Sequence, residues 1–108
     1  MNFYDLDHMA YKFKREGVQV KVISGERSQM VMTKLDPGFE SDHSHPQEQM
    51  GIVLSGQIRL TIENETRTCG AGEGYVIPPN VRHSFRVTSG SHAEILDIFS
   101  PPKEENNI

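Results

Sequence analysis

Apolar residues along this chain fall in short runs, and where they alternate with polar residues the period is two. Ile58-Arg59-Leu60-Thr61-Ile62 is the cleanest case. Three apolar side chains take one face and Arg59 and Thr61 the other, the pattern of a strand with one buried and one wet side. Eight segments read as strands: Val18–Ile23, Gln29–Leu35, Gln49–Leu54, Gln57–Ile62, Thr66–Cys69, Tyr75–Ile77, His83–Val87 and Ala93–Phe99. Turn formers separate them: Ser24-Gly25-Glu26, Asp36-Pro37-Gly38, Ser55-Gly56, Glu63-Asn64-Glu65, Gly70–Gly74, Pro78-Pro79-Asn80 and Ser89-Gly90. Helical periodicity is almost absent, so the expectation is an all-β antiparallel barrel or sandwich. A chain of 108 residues suits one domain, 1–108, around one core. The polar stretch 1–17 is expected to be an N-terminal arm, forming an edge strand or a short helical turn. Residues 103–108 read as a flexible tail.

Charge and composition narrow the partners. A net charge of -4 leaves no basic face for nucleic acid. No run of about 18 apolar residues is available to span a membrane, and the N-terminus lacks the apolar stretch of a secretory signal. The single cysteine, Cys69, excludes an internal disulfide and fits a reducing cytoplasm. Flanked by Thr68 and Gly70, it has no adjacent cation to lower its pKa and reads as structural.

Candidate chemistry concentrates in Asp42-His43-Ser44-His45-Pro46-Gln47-Glu48-Gln49. In extended backbone, residues two apart point to the same side, so His43 and His45 present two imidazoles to one interior. Gln49 shares their parity, although Pro46 interrupts the run, and Glu48 remains an alternative oxygen donor. Thirty-eight positions after His45 stands His83. Three imidazoles and one oxygen suit one divalent transition metal ion, Ni, Mn, Fe, Zn or Co, and not Mg or Ca. His8 and His92 lack comparable surroundings. Asp97 and Phe99, two apart on the last strand, share a face. Asp97 then either serves as a proton-transferring carboxylate or pairs with Arg82 or Arg86. Arg59 is open between a solvated and an interior position.

Two motifs resemble the signatures of the cupin superfamily, whose fold is a double-stranded β-helix, or jelly-roll barrel. The first reads Gly38, His43, His45, Gln49 and Gly56, with Gln49 where Glu is more usual; the second reads Gly72, Pro78, Asn80 and His83. Asn80 stands in place of a glycine, a mild change because Asn tolerates the left-handed region. Val87 stands in place of a final Asn. The stretches His43-Ser44-His45-Pro46-Gln47-Glu48-Gln49-Met50-Gly51 and Ile77-Pro78-Pro79-Asn80-Val81-Arg82-His83-Ser84, and the ending Asp97-Ile98-Phe99-Ser100-Pro101-Pro102-Lys103-Glu104, are similar to cupins of the KdgF type. Those enzymes convert 4,5-unsaturated uronates, released by polysaccharide lyases from pectin and alginate, into linear keto-uronates. A cupin isomerase of bacilysin biosynthesis has a similar His-x-His-Pro-x-Glu-Gln stretch, so this wording is not unique to one reaction.

The resemblance implies a metal held by His43, His45, Gln49 and His83. It also implies functional Asp, Phe and Arg residues near the C-terminus. Asp97 and Phe99 match the first two. Lys103 stands where the Arg is usual, keeping the charge but losing the fork that grips a carboxylate at two points. The expected function is a metal-dependent enzyme acting on a small acidic carbohydrate by ring opening or isomerisation. The alternatives are a metal-dependent dioxygenase or isomerase, and a non-catalytic sugar- or metal-binding cupin. A cytoplasmic homodimer is expected, with neither nucleic acid nor membrane as a partner.

Overall fold

A computed structural model describes residues 2–108. Among these residues ten strands form: β1 (Lys12–Arg15), β2 (Val18–Ser24), β3 (Gln29–Leu35), β4 (Glu40–His43), β5 (Glu48–Ser55), β6 (Gln57–Ile62), β7 (Glu65–Gly70), β8 (Gly74–Ile77), β9 (His83–Val87) and β10 (Ala93–Ser100). They pair antiparallel in two sheets, one ordered β1-β2-β3-β10-β5-β8 and the other β4-β9-β6-β7. The sheets face each other across one core, so the fold is an all-β jelly-roll barrel.

The eight strands expected from the alternation are all present, within a residue or so at each end. Two more appear. Lys12–Arg15, within the expected arm, pairs with β2 and becomes the edge of the larger sheet. Glu40–His43 pairs with β9 although it carries no aliphatic residue.

The C-terminus departs from the expected flexible tail. Residues Glu104–Asn106 form a 3-10 turn docked on the barrel, with Asn106 only 2% exposed. The Asn106 side-chain amide donates to Gln29 Oε1 at 3.1 Å, and the Gln29 amide donates to the Lys103 carbonyl at 3.0 Å. Gln29 is itself buried. The buried Gln29 amide thus accepts from Asn106 and donates to the Lys103 carbonyl, which fastens the end of the chain to β3.

Inward-facing side chains change character along each strand. On β10, Ala93 and Ile95 are followed by Asp97 and Phe99; on β5, Val53 is preceded by Gly51 and Gln49; on β9, Val87 is preceded by Phe85 and His83. One end of the barrel is therefore packed with aliphatic residues: Leu35, Val53, Ile58, Val87 and Ala93. The opposite end is polar inside. Hydrophobic burial at the closed end stabilises the fold and leaves the open end to hold chemistry.

The closed end depends on close backbone approach. Gly56, between β5 and β6, has φ +78, and a Cβ there would lie 2.7 Å from Ala93 Cα and 2.8 Å from the His92 carbonyl oxygen. Gly56→Ala combines a left-handed backbone with a clash against backbone that cannot rotate away. It should cost at least about 1–3 kcal/mol, read as a fall in Tm of about 5 °C or more in a thermal melt. An unchanged Tm would show that this corner relaxes freely.

Candidate metal centre

β4 and β9 pair so that His43 lies directly opposite His83. Both imidazoles point inward. His45 follows in the bend after β4 and is buried, and Gln49 opens β5 on the inner face. The ring centroids are 4.6 Å apart for His43 and His83, 4.8 Å for His45 and His83, and 5.4 Å for His43 and His45. One nitrogen from each ring lies within 4.8 Å of the other two.

The hydrogen bonds fix which nitrogens face the centre. His45 Nδ1 lies 3.0 Å from the Gln47 carbonyl oxygen, and His83 Nδ1 lies 2.9 Å from that of Val81. A carbonyl only accepts, so these rings carry their proton on Nδ1 and leave Nε2 with a free lone pair. His43 Nδ1 is engaged by Ser41 Oγ at 2.8 Å. His83 Nε2 is buried without a hydrogen-bond partner, a costly state for a polar atom. His45 Nε2 lies 3.0 Å from Gln49 Oε1. A neutral imidazole has one proton, and His45 faces two oxygen acceptors. Turning the Gln49 amide does not resolve this, because its N–H side is the donor that faces the Asp97 carboxyl. A cation between Nε2 and Oε1 resolves both problems.

Burial also keeps the rings neutral. It is the largest cause lowering the His43 pKa to about 4, followed by the neighbouring His83. His45 and His83 are lowered as well, again chiefly by burial. Three neutral imidazoles and an amide oxygen fit a divalent transition metal. Glu48, one position away, is exposed.

Asp97 lies on the same inner surface and is 7% exposed. Its partner is Tyr75, whose hydroxyl donates to Oδ1 at 2.7 Å. Arg82 is occupied elsewhere, 3.1 Å from Asp42. Burial pushes the Asp97 carboxyl up to about 6, against the opposing pull of Tyr75, Gln49 and Lys103. A carboxyl in that range can both take and give a proton near neutral pH. The Tyr75 hydroxyl is pushed well above its ordinary value, first by burial and then by Asp97, so it stays a donor.

Sequence reasoning missed Tyr75 and the residue that lets it reach. Asp97, Gly51 and Tyr75 form one row across β10, β5 and β8. A Cβ on Gly51 would overlap both Asp97 Oδ1 and the Tyr75 hydroxyl. The available signal was the glycine itself, placed inside the apolar strand Met50-Gly51-Ile52, where it marks a close approach.

Phe99 packs edge-on to His45, with centroids 5.7 Å apart, and the Lys103 ammonium lies 5.3 Å from the Phe99 ring centroid. The seven residues singled out from the sequence, His43, His45, Gln49, His83, Asp97, Phe99 and Lys103, line a single cavity of about 340 Å³. Arg59 does not; it lies outside, in a shallow polar depression with Glu40 and Arg86. His8 and His92 form exposed contacts with Asp5 and Asp36. Cys69 is buried in the core, and burial raises its thiol pKa.

Residues 31–99 match the Cupin_2 cupin-domain family, and the chain belongs to that family. The structure of KdgF from Halomonas sp. superposes with a TM-score of 0.90 at 23% identity, covering 98% of both chains. An RmlC-like cupin from Shewanella frigidimarina superposes at 0.88 with 20% identity, over 98% of this chain and 96% of the other. These likenesses establish the fold. In sequence, the HTH-type transcriptional regulator PuuR of Escherichia coli is 30% identical over 92 residues, covering 80% of this chain and 50% of PuuR. The chain thus spans about half the length of that relative. An uncharacterized protein of Streptomyces coelicolor is 27% identical over 105 residues, 95% of this chain and 99% of its own.

Metal analysis of the purified protein should find about one transition-metal ion per chain. His45→Ala and His83→Ala should each abolish it, with the strands retained by circular dichroism. A wild-type protein that takes up no transition metal on titration would remove the assignment.

Proposed function

We propose that this cupin is a metal-dependent enzyme that opens 4,5-unsaturated uronates to linear keto-uronates, downstream of polysaccharide-lyase cleavage in pectin or alginate breakdown. The observation that carries the reading is the buried Asp97 carboxyl, held by Tyr75 and facing the same cavity as the three imidazoles and Gln49. His43, His45, His83 and Gln49 would hold the metal. A bound divalent ion supplies Lewis-acid polarisation of a substrate oxygen.

The reaction needs one acid–base group. The anomeric hydroxyl loses its proton as the bond from the anomeric carbon to the ring oxygen breaks, which leaves an aldehyde and an enol. The enol carbon then gains a proton and the enol oxygen loses one, giving the ketone, so the formula is unchanged. A single carboxyl that takes a proton and returns it suffices, and Asp97 has that role. Tyr75 orients it. The Phe99 ring forms the apolar wall against which the substrate lies, and the basic Lys103 suits an acidic substrate. The lone Cys69 agrees with a cytoplasmic setting.

A second reading is a non-catalytic sugar- or metal-binding cupin, and a transcriptional regulator among the relatives is in keeping with binding without conversion. A third, a dioxygenase, requires oxygen. An anaerobic assay with metal-loaded protein separates the three by following the ultraviolet absorbance of the conjugated uronate. Loss of absorbance without oxygen supports ring opening, whereas saturable binding without turnover supports the second reading. Asp97→Asn still accepts from Tyr75 but cannot titrate. It should keep metal and fold while lowering kcat by about 10²–10⁴. Full activity in that variant would return Asp97 to a structural role.

The homodimer belongs to this proposal too. Met50, Ile52, Leu54, Val76 and Ile98, each more than a third exposed, lie on the outer face of the six-stranded sheet. A contiguous apolar patch of this kind, with Glu48 and Glu94 at its ends, suits a two-fold contact with a second copy. Light scattering should give a dimer mass for wild type and a monomer mass for Met50→Lys; a monomeric wild type would reject the dimer.

A further inference from the structure

Three cationic side chains rim the opening of the cavity: Lys14 and Arg15 from β1, and Lys103 from the segment after β10. Of the carboxylates lining the cavity, Asp97 is buried inside and Glu105 is exposed at the rim. The Lys103 ammonium pairs with Glu105 Oε1 at 2.6 Å although the lysine side chain is only 11% exposed. The Lys14 ammonium donates to the side-chain oxygen of the buried Asn106. Glu105 therefore faces an excess of positive charge, and its carboxyl is held below its ordinary value, first by Lys103, with Lys14 and Arg15 acting the same way.

The geometry points to an anion subsite. We propose that Lys14 and Lys103 bind the carboxylate of the acidic ligand, and that Glu105 occupies this subsite as an internal carboxylate until the ligand displaces it. The proposal rests on the acidic-sugar reading and names the residues that recognise the acid. Lys103 stands beside Phe99, which packs on His45, so a carboxylate held by Lys103 lies next to the imidazole cluster. Lys14 comes from the opposite end of the chain. Its aim is fixed because Asn106 is in turn held by Gln29. The Glu105 side chain is already half exposed on the docked 3-10 turn, so releasing its carboxylate needs a side-chain rotation and not the undocking of Asn106. Selectivity for acids then arises by exchange: a neutral sugar cannot replace the carboxylate it would displace.

Calorimetric titration of the metal-loaded full chain with D-galacturonate and D-galactose tests this. D-galacturonate should bind in preference to D-galactose. Lys14→Met should weaken galacturonate about tenfold or more and leave galactose unchanged, and Lys14→Arg should restore most of the loss. Glu105→Gln should tighten galacturonate about two- to fivefold, the scale of a partly exposed ion pair. Unchanged galacturonate affinity in Lys14→Met, or weaker binding in Glu105→Gln, overturns the proposal. If Lys14→Met does not fold, the Glu105→Gln titration alone decides the sign. Failure of the uronate reading is separate. Absent turnover with galacturonate preference still responding to both substitutions leaves the subsite standing, while turnover indifferent to both removes the subsite and keeps the reaction.

Discussion

β10 runs between β3 and β5, and its side chains alternate without a break from Ala93 to Ser100. Ala93, Ile95, Asp97 and Phe99 face in; Glu94, Leu96, Ile98 and Ser100 face out. A slip of one residue would exchange the two sets, turning Asp97 to the outside and Leu96 and Ile98 into the barrel. The buried methyl groups of Ala93 and Ile95 oppose that slip, so the apolar half of the strand holds the polar half in register. The same division recurs on β5 and β9. Each strand spends its aliphatic residues at one end of the barrel and positions a functional group at the other.

Within the polar end, Gln49 links two kinds of chemistry. Its oxygen faces His45 and its N–H side faces Asp97. A carboxylate at this position would set two like charges together in a buried site and disfavour ionisation of one of them. The amide avoids that conflict. It also adds no negative charge to the ligand set, so a bound ion keeps its full polarising power toward a substrate.

Much of this was legible in the sequence because the information is local. Two-residue periodicity locates strands, Gly and Asn locate turns, and His43-x-His45 on extended backbone puts two rings on one side. Asn80 does occupy the left-handed region, at φ 66. What could not be read depends on pairing between distant segments. Glu40–His43 carries no apolar pattern and becomes a strand only because β9 lies beside it. Tyr75 reaches Asp97 only through the register of three neighbouring strands. The segment from Lys103 onward reads as a flexible tail because nothing nearby announces that Gln29, seventy-four positions earlier, holds the Lys103 carbonyl. Buried polar pairs of this kind leave no periodic trace.

The empty position at Gly51 makes the acid–base pair and the imidazole cluster separable. No imidazole is among the nearest neighbours of a side chain placed there, whereas Asp97 and Tyr75 are. One methyl group would drive those two apart while making no direct close contact with a ring. One small substitution thus separates the Asp97–Tyr75 pair while the three imidazoles that could hold an ion lie on other segments. Occupancy of that single row decides whether Asp97 and Tyr75 can meet, and Gln49 is the one side chain through which a change there would be felt at the imidazoles.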